Sequence, residues 1–283
     1  MKKILFAASE SVPFIKTGGL ADVVGSLPKY FDKEKYDVRV MLPKYMCMKE
    51  QWKEKLSYHS HFYMDLGWRT QYVGVLETKY DGITFYFIDN EYYFNGFAPY
   101  GDMYADIEKF AFFSKAVLSA LPVIDFRPDI IHCHDWQAAL VPVYLRTQFE
   151  YTALSSAKTI LTIHNLRFQG IYNIPTIRYW SGLPDHVFNM RVLKTGHNDA
   201  NMLKGGLTYA NVITTVSQTY AGEIQTAYYG ESLDGHLRYH SGKLRGIVNG
   251  IDYDIWNPGT DARLYENYDI TTVLDKKREN KRR

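Results

Sequence analysis

The segment Lys16-Thr17-Gly18-Gly19-Leu20-Ala21-Asp22 sets a cation and two adjacent glycines between an apolar run, Ile4 to Ala8, and a stretch from Leu20 to Tyr30 with apolar residues at helical spacing. A turn of that kind can hold an anion such as a phosphate. Glycine lets the backbone come close, the unpaired N–H groups and the dipole of a helix start favour negative charge, and Lys16 adds a full positive one. The same turn also serves as a bare strand-to-helix connection in α/β domains that bind nothing there. Neither the dinucleotide-binding G-x-G-x-x-G spacing nor the P-loop spacing occurs, so the spacing alone leaves both readings open.

Polar residues also follow several other apolar runs. His134-Asp135, His164-Asn165, Ser217 and Asn249 each stand where a strand should end, and the first run leads through Glu10 to Lys16. Open parallel sheets bind ligands in the crevice outside the C-terminal ends of their strands, so five such ends together would make a site. Each residue has a plainer use. Asp135 and Ser217 can be N-caps of the helices that follow, His164 can be a satisfied core histidine, and Asn249-Gly250 can be a turn.

The chemistry available narrows in steps. His132-Cys133-His134-Asp135 holds good metal ligands, but strand alternation sends His132 and His134 to one face and Cys133 to the other, and no metal is expected. The Gly-x-Ser-x-Gly elbow of a serine hydrolase is absent. Glu10 and Asp135 could be the paired carboxyl groups of a glycosidase, although spacing in sequence does not fix their separation. Transfer of a group from a phosphate-containing donor, with the departing phosphate held by Lys16 and the Gly18-Gly19 turn, fits the residues best.

Positioning these residues calls for alternating strands and helices. Strands are expected at Ile4–Ser9, Asp37–Leu42, Asp129–His134, Thr159–His164, Val212–Val216 and Leu244–Val248, and helices at Glu108–Ile124, Trp136–Phe149, Asn201–Ala210 and Gln218–Tyr229. That alternation predicts an α/β fold with a mainly parallel sheet. Gln71–Thr78 and Thr84–Asp89, separated by Tyr80-Asp81-Gly82, read as an antiparallel hairpin at or beside the sheet edge. Phe168 to Asp199 is expected to be a long irregular segment.

Composition sets the limits. The 283 residues, 46% of them hydrophobic, can build one large or two small domains. A net charge of +2 gives no broad field for nucleic acid or membrane, although Lys276 to Arg283 gathers six basic side chains. Cys47 and Cys133 cannot form a disulfide framework, and a reducing, cytoplasmic setting is expected. No apolar run approaches the length of a membrane span.

The motifs form a recognisable set. Lys16 to Asp22, His132-Cys133-His134-Asp135-Trp136, Thr162-Ile163-His164-Asn165-Leu166 with Phe168-Gln169-Gly170, Thr215-Val216-Ser217, and Val248-Asn249-Gly250-Ile251-Asp252 together resemble the N-terminal part of the ADP-glucose-type glycogen and starch synthases, glycosyltransferase family 5. The resemblance implies a Rossmann-like sheet with helices on both faces, forming the N-terminal half of a GT-B glycosyltransferase. Residues 1–258 would be the acceptor-side domain and 259–283 a linker and the start of a second nucleotide-binding domain.

The implied activity is retaining transfer of glucose from ADP-glucose to the non-reducing end of an α-1,4-glucan (glycogen, starch or a maltooligosaccharide), with no cofactor and no metal. By the same resemblance Lys16, Gly18, Gly19 and Asp22 line the donor pocket, and Asp135 and His164 lie at the reacting sugar. Tyr100, Asn165 and Asn249 match further substrate-binding positions. Family members continue for roughly another domain that carries the remaining diphosphate-gripping residues, so the chain by itself is expected to be inactive or weakly active. The alternative is an α-glucan-binding domain without catalysis. Gln218 stands where the family commonly has proline, which touches a helix start rather than the chemistry.

Overall fold

The computed structural model describes all 283 residues, which divide by contact into Met1–Val248 and Asn249–Arg283. In the first unit β1 (Lys2–Ala7) leads through α1 (Gly19–Ser26) to β2 (Tyr36–Pro43). A single turn, α2 (Glu50–Lys53), precedes β3 (Ser57–Leu66), β4 (Arg69–Tyr80) and β5 (Ile83–Asp89). The short α3 (Glu91–Phe94) and the long α4 (Met103–Val123) carry the chain to β6 (Ile130–His134), α5 (Leu140–Leu145) and β7 (Lys158–Ile163). Next come β8 (Ile171–Asn173), α6 (Ile174–Ser181), β9 (Lys194–Thr195) and β10 (Asp199–Asn201), whose strands form a small separate sheet. The unit ends with α7 (Met202–Tyr209), β11 (Val212–Thr215), α8 (Gln218–Glu223), α9 (Asp234–Tyr239) and β12 (Leu244–Gly246).

The main sheet has the order β12-β11-β7-β6-β1-β2-β5-β4-β3. From β12 to β5 every neighbouring pair is parallel, and the β3–β4–β5 meander adds an antiparallel edge. After β1 the chain moves to one side, through β2, and later returns to the other, through β6. The crevice between the ends of β1 and β6 is therefore the topological switch point, where such sheets bind ligands.

Alternation along β1 supplies both faces of the core. Leu5 and Ala7 join the cluster built from α4, α5 and α7, whereas Ile4, Phe6 and Ala8 pack with Leu20 and Val24 of α1 and with Phe14. α4 is buried on most of its circumference, from Ile107 to Leu121, as a helix at the centre of a layer must be. Its start is fixed by Asp102, which accepts from the N–H groups of Tyr104 and Ala105.

All six expected parallel strands are present, with ends displaced by no more than two residues. Helix boundaries differ more. The expected helix from Trp136 to Phe149 is a 3-10 turn, Trp136–Ala138, followed by α5, because Pro142 has no N–H to continue a helix begun at Trp136 and is accommodated only in a first turn. The helix expected to reach Tyr229 stops at Glu223. β3 gives no sequence signal because only Met64 and Leu66 are buried along it, and its other face shows Tyr58 and Tyr63 to solvent. Phe168 to Asp199, expected to be irregular, contains β8, α6 and β9.

The second unit runs from Asn249 to α10 (Val273–Arg282). Asn249-Gly250 forms no turn there, contrary to the plainer expectation. Asn280 ties its own helix to the preceding loop, accepting from Tyr265 N–H and donating to Glu266 C=O. No helix of the protein is long and apolar enough to cross a membrane.

Candidate active site

At the end of β1 the chain turns sharply into α1, and the turn is organised by Glu10. This side chain is buried and accepts from the backbone N–H and hydroxyl of Thr17 and from the hydroxyl of Tyr100, the last at 2.5 Å. Tyr100 reaches Glu10 from a loop that is itself pinned, with Gly101 N–H on Asp106 and Lys109 Nζ on the carbonyl of Pro99. Ser9 Oγ completes the cluster at 2.7 Å from the phenolic oxygen. Burial, and then the neighbouring Glu10, push the phenol of Tyr100 far above its usual range, so it acts as a fixed hydroxyl.

With Thr17 held from behind, the turn presents Lys16, Gly18 and Gly19 outward. Gly18 is the N-cap of α1 and offers no side-chain cap, which leaves the first N–H groups of the helix unpaired by side chains. A β-carbon added at Gly18 or Gly19 would meet nothing within 4 Å, and neither residue has positive φ. The fold therefore does not need glycine at these two positions, and the open space in front of them is available to a ligand. Gly25 is different, because a β-carbon there would lie 2.5 Å from the carbonyl oxygen of Val12. Lys16 and Asp22 form an ion pair at 2.7 Å, with both side chains about two-fifths exposed. A phosphate arriving at the turn can compete with Asp22 for this lysine.

At the end of β6, Asp135 adopts φ 54° and ψ −171°, a conformation that is nearly reserved for glycine and costs about 1–3 kcal/mol. Its side chain does not cap the helical turn that follows, which rules out the plain N-cap reading. Instead Oδ1 accepts from the backbone N–H of His164 at 2.7 Å and of Asn165 at 3.4 Å, so it ties the end of β6 to that of β7. Desolvation raises the Asp135 carboxyl to about 7 against the pull of those two N–H groups, and Glu10 adds to the rise. Strain and a raised pKa coincide on one residue at the switch point, a pattern enriched at functional sites.

His164 follows β7 and lies half-buried, with Nε2 2.9 Å from Nδ1 of the fully buried His134. Burial lowers His164 to about 4, so its ring is neutral near pH 7. His132 stacks on His134 with centroids 4.2 Å apart and hydrogen-bonds Thr162, which continues to Thr214. No three His, Cys, Asp or Glu side chains group as metal ligands. Asn165 is exposed and accepts from the N–H of Arg167.

Lys16 and Gly18 thus lie in one turn with Gly19 and Asp22 in the first turn of α1 directly after it, Thr17 and Glu10 link that turn to Tyr100, and Asp135 is near enough to Glu10 to feel its charge and directly holds His164 and Asn165. Ser217, at the end of β11, is a helix cap, as its plain reading requires, and accepts from Tyr220 N–H at 2.9 Å. Asn249 belongs to the second unit. Gln169 and Gly170 serve the architecture. Gln169 bonds the carbonyls of Leu166 and Glu231, and Gly170, at φ 62°, leaves the space that Trp136 occupies. Sequence reasoning missed Glu10 as organiser, had no place for Ser9, and placed His134 at a strand end without its contact to His164. The one available signal was a run of polar residues, Ser9 to Ser11, directly after a buried strand.

The sequence pattern of the starch synthase catalytic domain matches residues 3–239. The chain belongs to the starch synthase catalytic domain family. Within it, the chain is 59% identical to a glycogen synthase of Lachnospira eligens over 99% of its own length and 59% of that protein's, and 58% identical to a glycogen synthase of Lachnoclostridium phytofermentans over 100% of its own length and 59% of that protein's. Its fold matches the catalytic domain of starch synthase IV from Arabidopsis thaliana, solved bound to ADP and acarbose, with a TM-score of 0.87 and 32% identity over 99% of this chain and 58% of that one. The chain therefore spans about three-fifths of the length of these relatives.

Proposed function

We propose that this chain is the acceptor-side part of a glycogen synthase that transfers glucose from ADP-glucose to the non-reducing end of an α-1,4-glucan with retention of configuration. The observation that carries the reading is the closeness of two half-sites at the switch point: an open, cationic glycine turn after β1, held by Glu10 and Tyr100, and Asp135 with His164 after β6 and β7, with Glu10 near enough to raise the Asp135 carboxyl. ADP and acarbose in the starch synthase IV structure support the two substrate classes, nucleotide and α-glucan.

In this mechanism the bond between C1 of glucose and the β-phosphate oxygen breaks while Lys16 and the N–H groups beyond Gly18 take up the charge appearing on the diphosphate. The acceptor hydroxyl bonds to C1 on the same face and gives its proton to the departing phosphate oxygen. Asp135 supplies negative charge next to the positive sugar centre. His164 is neutral and orients a hydroxyl of the transferred glucose rather than passing a proton to it. The diphosphate is already a good leaving group, so neither a metal nor a cofactor is assigned.

In the same reading the remaining two-fifths of the relatives' length supplies the rest of the diphosphate grip, and the 283-residue chain alone turns over slowly or not at all. The experiment is ADP release from ADP-glucose in the presence of glycogen. Turnover by the isolated chain at the rate of a complete synthase would refute the shared-site reading. Retention on an amylose gel without any ADP release, even after the rest of a relative is supplied, would favour a glucan-binding role.

A further inference from the structure

His134 is buried, its Nδ1 faces His164 Nε2 at 2.9 Å, and its own Nε2 has no hydrogen-bond partner. The ring is held in a stack: His132 lies 4.2 Å away at 30°, Phe6 5.5 Å away at 20°, and His164 5.2 Å away at 29°. A contact between two neutral imidazoles carries one hydrogen, and there are two ways to place it. If His164 donates from Nε2, the hydrogen of His134 sits on Nε2, an N–H sealed among aromatic rings with no acceptor. If His134 donates from Nδ1, only a lone pair is left without a partner. Buried donors without acceptors are the rarer fault in native structures, as backbone N–H groups compared with carbonyls demonstrate.

We propose that His134 is a positioning residue that donates its Nδ1–H to His164 Nε2 and so locks His164 in the Nδ1–H tautomer. Both rings are neutral near pH 7, since burial lowers each of them, and the lock holds without a charge. His164 then offers a hydrogen-bond donor where it emerges from β7, suited to a sugar hydroxyl oxygen and unsuited to removing a proton. The tautomer rests on the contacts alone, and only its use toward a glucosyl oxygen rests on the proposed transfer. The outward-facing half of a functional histidine is set by the bond that the other nitrogen makes, and here that bond comes from the same β6 segment that carries Asp135.

The test is a long-range proton–nitrogen correlation spectrum of the ring nitrogens in the chain labelled at histidine, with His164 assigned by the signal lost in His164→Gln. The expected result is protonated Nδ1 and bare Nε2 at His164, with one tautomer populated. His134→Asn, whose amide N–H can replace Nδ1–H, keeps that pattern, and His134→Leu moves the hydrogen to Nε2 or mixes the two forms. A wild-type spectrum showing Nε2–H at His164 overturns the proposal by itself, whether or not the variants fold. So does an unchanged tautomer in folded His134→Leu. Turnover is not needed for either readout, so a failed synthase assay and a failed tautomer assignment are told apart.

Discussion

Replacing Asp135 with asparagine is expected to make the protein more stable at neutral pH while impairing the site. In the unfolded chain this carboxyl loses its proton near 3.8, whereas in the folded protein burial holds the proton until about 7. Below the unfolded value both states are protonated and the residue costs nothing. Between the two values the native state keeps a proton that the unfolded state has lost, so stability falls as pH rises, and above about 7 the loss is complete. A shift of about three units at 1.36 kcal/mol each gives a ceiling of about 4 kcal/mol. Asparagine keeps an Oδ1 acceptor for the N–H of His164, tolerates positive φ and never ionises. Chemical denaturation of wild type and Asp135→Asn between about pH 4 and about pH 8 is the assay. Their difference should be small at the acid end and grow toward about 4 kcal/mol in favour of the variant at the alkaline end. A flat difference across that range, or a variant less stable than wild type at the alkaline end, refutes the claim that the fold holds a disfavoured charge there. Under the proposed transfer reaction such a cost is sensible, since a carboxylate poorly served by its surroundings gains most from a positive sugar centre.

Tyr100→Phe removes the hydroxyl that donates to Glu10 and accepts from Ser9, and should cost about 1–3 kcal/mol in urea denaturation, because it takes one donor from a buried carboxyl group and leaves the Ser9 hydroxyl without that acceptor. Gly18→Ala should leave the midpoint within about 0.5 kcal/mol of wild type, yet weaken ADP binding in calorimetry if the turn is a phosphate cradle. Gly25→Ala should cost about 1–3 kcal/mol through contact with Val12. Lys16→Ala should change stability by no more than about 1 kcal/mol, since its pair with Asp22 is exposed, and a larger loss would mean that the lysine holds the turn itself.

The parallel strands were legible because each is a short apolar run flanked by turn residues, and burial on both faces leaves no alternation to misread. β3 was not, since its outer face carries tyrosine and histidine where water-facing strands usually carry charge. The broken helix after Asp135 was hidden by apolar spacing that continues through Pro142. In the site, the identities of Lys16, Asp135 and His164 could be read from strand ends, but their interdependence could not. Glu10 gathers Thr17 and Tyr100 from positions 7 and 90 residues away, a convergence that only tertiary structure creates.

The three glycines of the first turn and helix show how structure separates fold from function where sequence does not. Each lies in an α/β turn or helix, and each could be explained by packing. Only Gly25 is, because Val12 fills the space a side chain would take. Gly18 and Gly19 face emptiness in ordinary backbone conformations, so neither packing nor backbone strain inside the protein accounts for them. Glycine costs a helix start conformational entropy and gains it no contact. A residue that the fold pays to keep, beside a lysine held only by an exposed ion pair, is accounted for by something outside the chain that must come close to the backbone. A phosphate does so, and the N–H groups at the start of α1 are the donors it would meet.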